Sequence, residues 1–261
     1  MVMELNSILY SKENGIAWAQ FNRPDKLNAL NSDVFADIGR VVDDVALDDA
    51  VRVLVITGGD KVFAAGADIQ EMSRGDIAGT YKFTDAGIQI TERLADLGKP
   101  TIAAISGYAL GGGLELALCC DFRIAADTAV VGLPEITLGI IPGGGGTQRL
   151  PRLINYSIAA EMVMLGGMMK AERAHQLGIL NRVVAQEALK EEVVKFAGQL
   201  MARAPIALRA AKTALRKGLN VSLKDGLCIE QDLFAMLFGT ADQKEGMAAF
   251  LEKRKAKFTG K

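Results

Sequence analysis

Short apolar segments followed by glycine-rich turns and helix-forming residues recur along the chain, and this alternation constrains the fold most strongly. The segment V-R-V-L-V-I-T at 51–57 ends at Gly58-Gly59, and T-I-A-A-I-S at 101–106 precedes the glycine run of G-Y-A-L-G-G-G-L-E at 107–115. A third apolar segment, 128–137, leads into L-G-I-I-P-G-G-G-G-T-Q-R-L at 138–150. Buried strands closed by glycine and followed by helices predict an α/β fold of stacked β/α turns.

Helical patterns flank these turns on both sides. Asn31-Ser32 provides N-cap side chains, and apolar residues from Val34 to Val45 then recur with helical spacing. From about Val193 onward the pattern is helical, with no clear strand. A chain of 261 residues is long enough for one large domain with an appendage. We therefore expect a core over residues 1–195 and a helical assembly region over 196–261.

Composition argues against several functional classes. A formal net charge of -1 is untypical of a dedicated nucleic-acid binder or a membrane-surface protein. No segment approaches the roughly 20 apolar residues of a membrane span, and the first ten residues resemble neither a signal nor a transit peptide. Three cysteines without metal or redox spacing favour a reducing compartment. These features predict a cytoplasmic protein, although a processed organellar protein would share them.

The glycine runs allow two interpretations. Neither G-x-x-x-x-G-K-[ST] nor a G-x-G-x-x-G after a strand is present, so the two common phosphate-binding loops are not predicted. One interpretation is that the glycines only permit tight packing. The other is that backbone N–H groups at two helix starts, which lack intrahelical partners, converge on one oxygen as an oxyanion hole.

Two glutamates accompany these runs. Glu115 follows the three glycines after one residue, and Glu135 closes G-L-P-E at 132–135. Each glutamate alone fits a solvated or salt-bridged position, because a solitary buried carboxylate is costly in apolar surroundings. If both share one apolar site they repel each other, and the pair is suited to general acid-base chemistry on a water molecule.

The presence of a single histidine limits the catalytic mechanisms that the sequence allows. His175 lies in the amphipathic segment A-E-R-A-H-Q-L-G at 171–178, and we interpret it as structural or exposed. Ser-His-Asp and Cys-His catalysis then lack a base, and the sequence offers no His/Cys cluster for a transition metal. Any chemistry is expected to use carboxylates and backbone dipoles, without a metal.

Five stretches resemble the signature of one enzyme family, the enoyl-CoA hydratase (crotonase) family. They occur in the family's order and span nearly the whole chain, and the two glutamates have the family's spacing of 20 residues. The stretches are N-R-P-D-K-L-N-A-L near the start, F-A-A-G-A-D-I-Q-E-M (63–72), G-Y-A-L-G-G-G-L-E-L-A (107–117), G-L-P-E-I-T-L-G-I-I-P-G-G-G-G-T-Q-R-L (132–150) and E-G-M-A-A-F-L-E-K-R-K near the end.

The resemblance implies a crotonase-like spiral of β-β-α turns with a C-terminal helical trimerisation region, so that the protein is a homotrimer or homohexamer. By similarity, the backbone N–H groups of Ala67 and Gly112 hold the thioester oxygen of an acyl-CoA substrate. Ala67, Asp68, Ile69 and Gln70 line the path of the thioester and pantetheine.

The glutamate pair selects an activity within the family. Hydratases of the family carry both carboxylates, so the resemblance implies syn hydration of a trans-2-enoyl-CoA to a 3-hydroxyacyl-CoA, in fatty-acid or related acyl-CoA degradation. Glu115 activates water, Glu135 supplies a proton, and Gly143 donates a hydrogen bond nearby. The resemblance also implies that Phe234 borders the acyl or adenine region and that Lys253 reaches a CoA phosphate in a neighbouring subunit. No cofactor is expected, because CoA arrives with the substrate.

Three alternatives stay open at this point. A Δ3-Δ2-enoyl-CoA isomerase, or another acyl-CoA enzyme of the family, needs the same fold. An RNA-binding protein is supported only by the basic segment E-K-R-K-A-K at 252–257, whose other interpretation is a solvated helix end. A catalytically silent scaffold fits poorly with two retained glutamates. The sequence does not fix the acyl chain length, the pathway, the choice between trimer and hexamer, or which of the two glutamates acts as the base.

Overall fold

A large and a small β-sheet organise the N-terminal three quarters of the chain. The computed structural model describes residues 4–73 and 75–261, which contain nine strands. The predicted strands at 51–57 and 101–106 are confirmed, with slightly shorter bounds. The strands are β1 (Ile8–Glu13), β2 (Ile16–Phe21), β3 (Val53–Thr57), β4 (Thr101–Ile105), β5 (Tyr108–Leu110), β6 (Phe122–Ala126), β7 (Val130–Gly132), β8 (Met168–Lys170) and β9 (Arg182–Val184).

The large sheet has the order β1-β2-β3-β4-β6-β9 and the small sheet the order β5-β7-β8. All neighbours in the large sheet are parallel except β1 and β2. Every residue of β3 and β4 is buried, as expected for parallel strands covered on both faces. From β4 the chain enters the small sheet as β5, and from β6 it enters the same sheet as β7, with a helical segment after each. This repetition is the predicted β-β-α turn.

Eleven α-helices occur among the described residues. The predicted N-cap at Asn31 is confirmed, because its side-chain oxygen accepts a hydrogen bond from the N–H of Val34 at 3.1 Å. The helices are α1 (Ser32–Leu47), α2 (Ile69–Met72), α3 (Ile77–Ala95), α4 (Gly112–Cys119), α5 (Gly146–Leu153), α6 (Tyr156–Leu165), α7 (Ala171–Gln176), α8 (Leu189–Met201), α9 (Pro205–Gly218), α10 (Leu223–Leu237) and α11 (Ala241–Leu251). Short 3-10 helices cover Pro24–Lys26, Pro134–Leu138 and Gln186–Ala188.

The hydrophobic core lies along one face of the large sheet and extends around α4. The apolar stripe of α1 is buried there, with Val34, Val41 and Val45 each at most 1% exposed. In α4, Leu114 and Ala117 are fully buried. The apolar spacing seen in the sequence is therefore the packing face of α1, and α4 is surrounded by protein on all sides.

The chain divides into two units. One comprises Met1–Leu97 with Thr101–Val194, and the other Gly98–Pro100 with Lys195–Lys261. The first contains both sheets, and the second is helical, as predicted for the chain beyond about Val193. No helix in the described part of the chain is both long and apolar enough to cross a membrane.

Candidate active site

The run of three glycines places the N-terminus of α4 beside the loop that follows β3. Leu110 donates its backbone N–H to the carbonyl oxygen of Ala64 at 3.0 Å, so residues 64–67 run alongside residues 108–112. At Gly112 the two segments are so close that an added Cβ would lie 3.3 Å from the backbone nitrogen of Ala67. The structure thus brings together the two residues that were predicted to form an oxyanion hole.

The backbone N–H groups of both residues are available to an external acceptor. Gly112 is the first residue of α4, where an N–H has no intrahelical partner. Leu30 donates to the carbonyl of Gly66 and accepts from the N–H of Asp68, each at 2.8 Å. Because successive N–H groups alternate in extended backbone, the N–H of Ala67 points away from Leu30. Neither N–H has an acceptor within residues 4–73 and 75–261.

The neighbouring glycines are required by close packing. Gly111 has φ of +52°, a conformation that is strained for residues with a side chain, and a Cβ there would lie 2.8 Å from Oε1 of Glu135. A Cβ on Gly113 would lie 2.2 Å from the carbonyl oxygen of Ala64. Both interpretations of the glycine run therefore hold. The close approach of residues 111–113 to residues 64–67 requires glycines for packing and also places the N–H donors.

Glu115 is a buried carboxylate held by the second glycine run. Its side chain lies in the first turn of α4, and the residue is 4% exposed. Oε1 accepts hydrogen bonds from the N–H groups of Gly144 at 2.8 Å and Gly146 at 2.7 Å. Burial raises the pKa of Glu115, while these two N–H groups and the positive charge of Arg149 oppose the rise without cancelling it.

Glu135 lies in the 3-10 helix Pro134–Leu138 and carries a buried oxygen without a partner. Among the described residues no group hydrogen-bonds to its Oε2. The pKa of Glu135 is raised to about 7: burial is the largest cause, its own backbone N–H opposes the rise, and repulsion from Glu115 contributes to it. The two glutamates therefore interact electrostatically, and an orphan acceptor at such a site is suited to a substrate or water donor.

The combined arrangement is a pair of carboxylates, one buried and one half-buried, at the N-terminus of α4, next to two unpaired backbone N–H groups. The N–H pair can stabilise negative charge on an oxygen. A carboxyl whose pKa is near neutrality can donate or accept a proton. The arrangement is therefore suited to acid-base chemistry on a substrate that develops an oxyanion.

Comparison with known proteins identifies the family. Residues 11–261 match the family model described as enoyl-CoA hydratase/isomerase. The chain belongs to this family. The fold class predicted from the sequence is confirmed as well, because solved members of the family superimpose on nearly the full chain.

Similar proteins include two bacterial hydratases of the same length. The chain is 45% identical to a crotonyl-CoA hydratase of Syntrophomonas wolfei subsp. wolfei, over 99% of this chain and 100% of that one. It is 41% identical to a short-chain-enoyl-CoA hydratase of Clostridium acetobutylicum, over 97% of each chain. Among solved structures, enoyl-CoA hydratase subunit I from Geobacillus kaustophilus HTA426 superimposes with a TM-score of 0.95 at 45% identity, covering 99% of this chain and 100% of that one.

The other predicted binding residues of the first unit, Gly143, Ile69 and Gln70, lie close in sequence to Gly144 or to Ala67. Gly143 is exposed, and the nearest side chain to an added Cβ would be that of Thr84, at 3.7 Å. Ile69 and Gln70 are exposed at the start of α2. Their contact with an enoyl-CoA remains a prediction for this family member.

Asp68 has a structural role in addition to any contact with substrate. Its Oδ1 caps α2 by accepting from the N–H of Gln70 at 3.1 Å and of Glu71 at 3.4 Å. Its Oδ2 pairs with Nη2 of Arg23 at 3.0 Å. Burial would raise the pKa of Asp68, but Arg23 and the capped N–H groups outweigh it and lower the pKa.

Phe234 and Lys253 belong to the second unit. Phe234 is 63% exposed on α10 and packs edge-to-face against Phe238, with ring centroids 5.2 Å apart. Lys253 follows α11 with φ of +55° and is exposed. In the same basic segment, Arg254 forms ion pairs with Glu245 and Glu252. The assignment of Phe234 and Lys253 to substrate binding remains a prediction.

Sequence reasoning missed the groups that hold Glu115. The run P-G-G-G-G-T-Q-R-L was noted, but only Gly143 was assigned a role, whereas Gly144 and Gly146 make the hydrogen bonds. A signal was present, because a glycine run that opens a helix supplies several unpaired N–H groups. Within the described ranges, no cluster of three or more His, Cys, Asp or Glu side chains could hold a metal ion.

Proposed function

We propose that the protein is an enoyl-CoA hydratase, a lyase that adds water syn across the double bond of a trans-2-enoyl-CoA to give a 3-hydroxyacyl-CoA. The observation that carries this proposal is the interacting pair Glu115 and Glu135 beside two unpaired backbone N–H groups. The names of the Syntrophomonas and Clostridium relatives support the same activity. The protein acts in the degradation of fatty acids or related acyl-CoA compounds.

The backbone N–H groups of Ala67 and Gly112 stabilise the enolate that forms on the thioester oxygen. Attack of water at Cβ moves an electron pair through Cα onto this oxygen, so charge develops where the N–H groups point. The N-terminus of α4 adds the positive end of its helix dipole at the same place. These interactions strengthen as the charge develops and therefore lower the barrier.

The two glutamates exchange protons with water and substrate. Glu115 takes one proton from the attacking water, because two backbone N–H groups favour the ionised form of its Oε1. Glu135, whose pKa is about 7, gives its proton to Cα as the enolate collapses. The proton on Glu115 then returns to the pair through solvent, which restores the starting state. Every step uses groups of the protein, so we propose no cofactor beyond the CoA of the substrate.

CoA binding extends from this centre along Ala67, Asp68, Ile69 and Gln70, with Gly143 donating a hydrogen bond to the water. Phe234 borders the acyl or adenine region of the substrate, and Lys253 contacts a CoA phosphate bound in a neighbouring subunit. These roles rest on the family resemblance and on the exposure of Ile69, Gln70 and Lys253.

A homo-oligomer, trimeric or hexameric, is proposed on the basis of exposed apolar side chains in the second unit. Leu227, Phe234 and Met236 of α10 are 54%, 63% and 73% exposed, and Phe250 of α11 is 83% exposed. Monomeric proteins rarely expose apolar groups of this size in one region, and such surfaces mark interfaces. The cytoplasm is proposed as its location, from the sequence alone.

Hydration of crotonyl-CoA by wild type, Glu115→Gln, Glu135→Gln and the double variant tests the function. Glutamine keeps the shape of the side chain but removes the titrating group, so each single variant should lose at least ~10²-fold in kcat. The double variant should lose less than the product of the single losses, because the pair acts as a unit.

The isomerase alternative gives a different pattern in the same experiment. A wild type that shifts the double bond of a 3-enoyl-CoA but forms no 3-hydroxyacyl-CoA would refute the hydratase proposal. Full hydration activity in Glu115→Gln would refute the role of Glu115. An exposed glutamate of α6, Glu161, provides the matched control, and Glu161→Gln should retain activity.

A further inference from the structure

Arg149 of α5 contacts the loop that holds the carboxylate of Glu115. Its Nη1 donates to the carbonyl oxygen of Gly144 at 3.1 Å, and the N–H of Gly144 donates to Oε1 of Glu115 at 2.8 Å. Its Nη2 pairs with Oε1 of Glu92, on α3. One guanidinium therefore joins α3, the glycine loop and, through the loop, the base of the proposed reaction.

We propose that Arg149, held in place by Glu92, is a positioning residue for Glu115. It fixes the glycine loop so that the N–H groups of Gly144 and Gly146 orient the carboxylate. The inference deepens the proposed hydratase function and rests on it for its kinetic readout.

The loop is shaped around the guanidinium. Gly145 has φ of +109°, and a Cβ at this position would lie 1.8 Å from Nη1 of Arg149. Any side chain at 145 would therefore displace Arg149 as well as strain the backbone. The planar fork of arginine holds two partners in fixed directions, which the ammonium group of lysine does not do.

Arg149 also acts on Glu115 through its charge. The charged or titratable groups that interact with Glu115 are Arg149 of α5, Glu135 of its 3-10 helix and Cys119 of α4 itself. Glu92 of α3 pairs with Arg149 and also acts on Cys119. The positive charge of Arg149 lowers the pKa of Glu115 against the effect of burial. The negative charge of Glu92 partly neutralises Arg149. Loss of Arg149 and loss of the Glu92 charge should therefore move the titration of Glu115 in opposite directions.

Three variants and one control separate positioning from general loss of structure. Arg149→Met removes the charge and both hydrogen bonds at similar length. Arg149→Lys keeps the positive charge but lacks the planar guanidinium group. Glu92→Gln keeps an acceptor oxygen without the charge. Arg152→Met is the control, because Arg152 is an exposed arginine of the same helix whose hydrogen bonds, among the described residues, go to Gln148.

The first readout is the infrared titration of the protonated carboxyl C=O band that is absent in Glu115→Gln. We expect its midpoint at higher pH in Arg149→Met, at wild-type or lower pH in Glu92→Gln, and unchanged in Arg152→Met. This readout requires no turnover, so it tests the inference even if the protein does not hydrate crotonyl-CoA. A wild-type midpoint in folded Arg149→Met, or a rise in Glu92→Gln, would overturn the inference.

The second readout is the pH dependence of kcat/KM for crotonyl-CoA. The acid limb reports ionisation of the base in the free enzyme, so it should move to higher pH in Arg149→Met. Arg149→Lys should keep the wild-type limb but lose roughly 10- to 100-fold in kcat, as expected for a base displaced by about 1 Å. If Arg149→Met does not fold, the results for Arg149→Lys and Glu92→Gln test the inference instead. A wild-type kcat in Arg149→Lys would show that the planar guanidinium does not position Glu115.

Discussion

Replacing Glu135 by glutamine should stabilise the folded protein, and more so at alkaline than at acidic pH. The side chain is half-buried, it carries an oxygen without a partner, and it lies near the carboxylate of Glu115. Ionised Glu135 is therefore poorly solvated and repelled in the folded state, whereas in the unfolded chain it is surrounded by water. Glutamine has nearly the same shape and remains neutral at every pH.

The sign and size of the effect follow from the pKa of Glu135. Burial and Glu115 raise this pKa from 4.5 to about 7. Between these values the folded carboxyl keeps a proton that the unfolded carboxyl has lost, so the free energy of unfolding falls as pH rises through the interval and levels off above it. At ~1.4 kcal/mol for each pH unit, the full interval of about 2.5 units corresponds to ~3.5 kcal/mol. Partial exposure of the side chain screens the charge, and we expect about 1–2 kcal/mol.

Urea unfolding of wild type and Glu135→Gln at about pH 5 and about pH 8 measures this difference. Protein concentration is held constant, because assembly contributes to stability. The stability advantage of the variant should grow from the lower to the higher pH. Glu161→Gln, on an exposed face of α6, should differ from wild type by less than ~0.5 kcal/mol at both. An advantage of Glu135→Gln that is equal at the two pH values, or a loss at the higher one, would refute the electrostatic reasoning.

Three further predictions concern packing and assembly. Gly113→Ala should lower the free energy of unfolding in urea by about 2–3 kcal/mol, because the new Cβ would lie 2.2 Å from the carbonyl oxygen of Ala64. Gly198→Ala, in open space on α8, should instead raise it by ~0.5–1 kcal/mol, and equal effects of the two substitutions would contradict this reasoning. Arg123→Met should cost about 3 kcal/mol, because the buried guanidinium donates to three backbone carbonyls, and an unchanged urea midpoint would count against it. Met236→Lys should dissociate the proposed oligomer in sedimentation, and an unchanged wild-type oligomer would argue against an interface on α10.

The sequence predicted those parts of the fold and site that depend on neighbouring residues. Asn31 caps α1 because its side chain reaches an N–H three residues away. The run of glycines before Glu115 pointed to unpaired N–H groups because a helix start lacks intrahelical acceptors. His175, expected to be structural or exposed, is exposed, and its Nδ1 lies 2.9 Å from the carbonyl oxygen of Leu180. The family and the α/β spiral were also predicted correctly, from motifs that span the chain.

Features that depend on distant segments were not predictable from local patterns. The strands β5, β7 and β8 have three residues each, too few for a periodic signal, and they exist because they pair with one another. Arg149 and Glu92 are separated by 57 residues, and their pairing depends on the packing of α5 near α3. The pKa of Glu135 could be given a direction from the sequence but no size, because burial, its largest cause, is a property of the folded chain.

The chemistry of the site depends on its glycines as much as on its two carboxylates. A Cβ at Gly111 would lie 2.8 Å from Oε1 of Glu135, and a Cβ at Gly144 would lie 2.8 Å from Oε2 of Glu115. Each glutamate therefore occupies space that a glycine from another segment leaves open. The two carboxylates differ because of these segments: backbone N–H groups hold one, while the other keeps an oxygen without a partner. Since identical side chains acquire different proton affinities only through such surroundings, the glycine loops are what would make one glutamate the base and the other the acid of the proposed hydration.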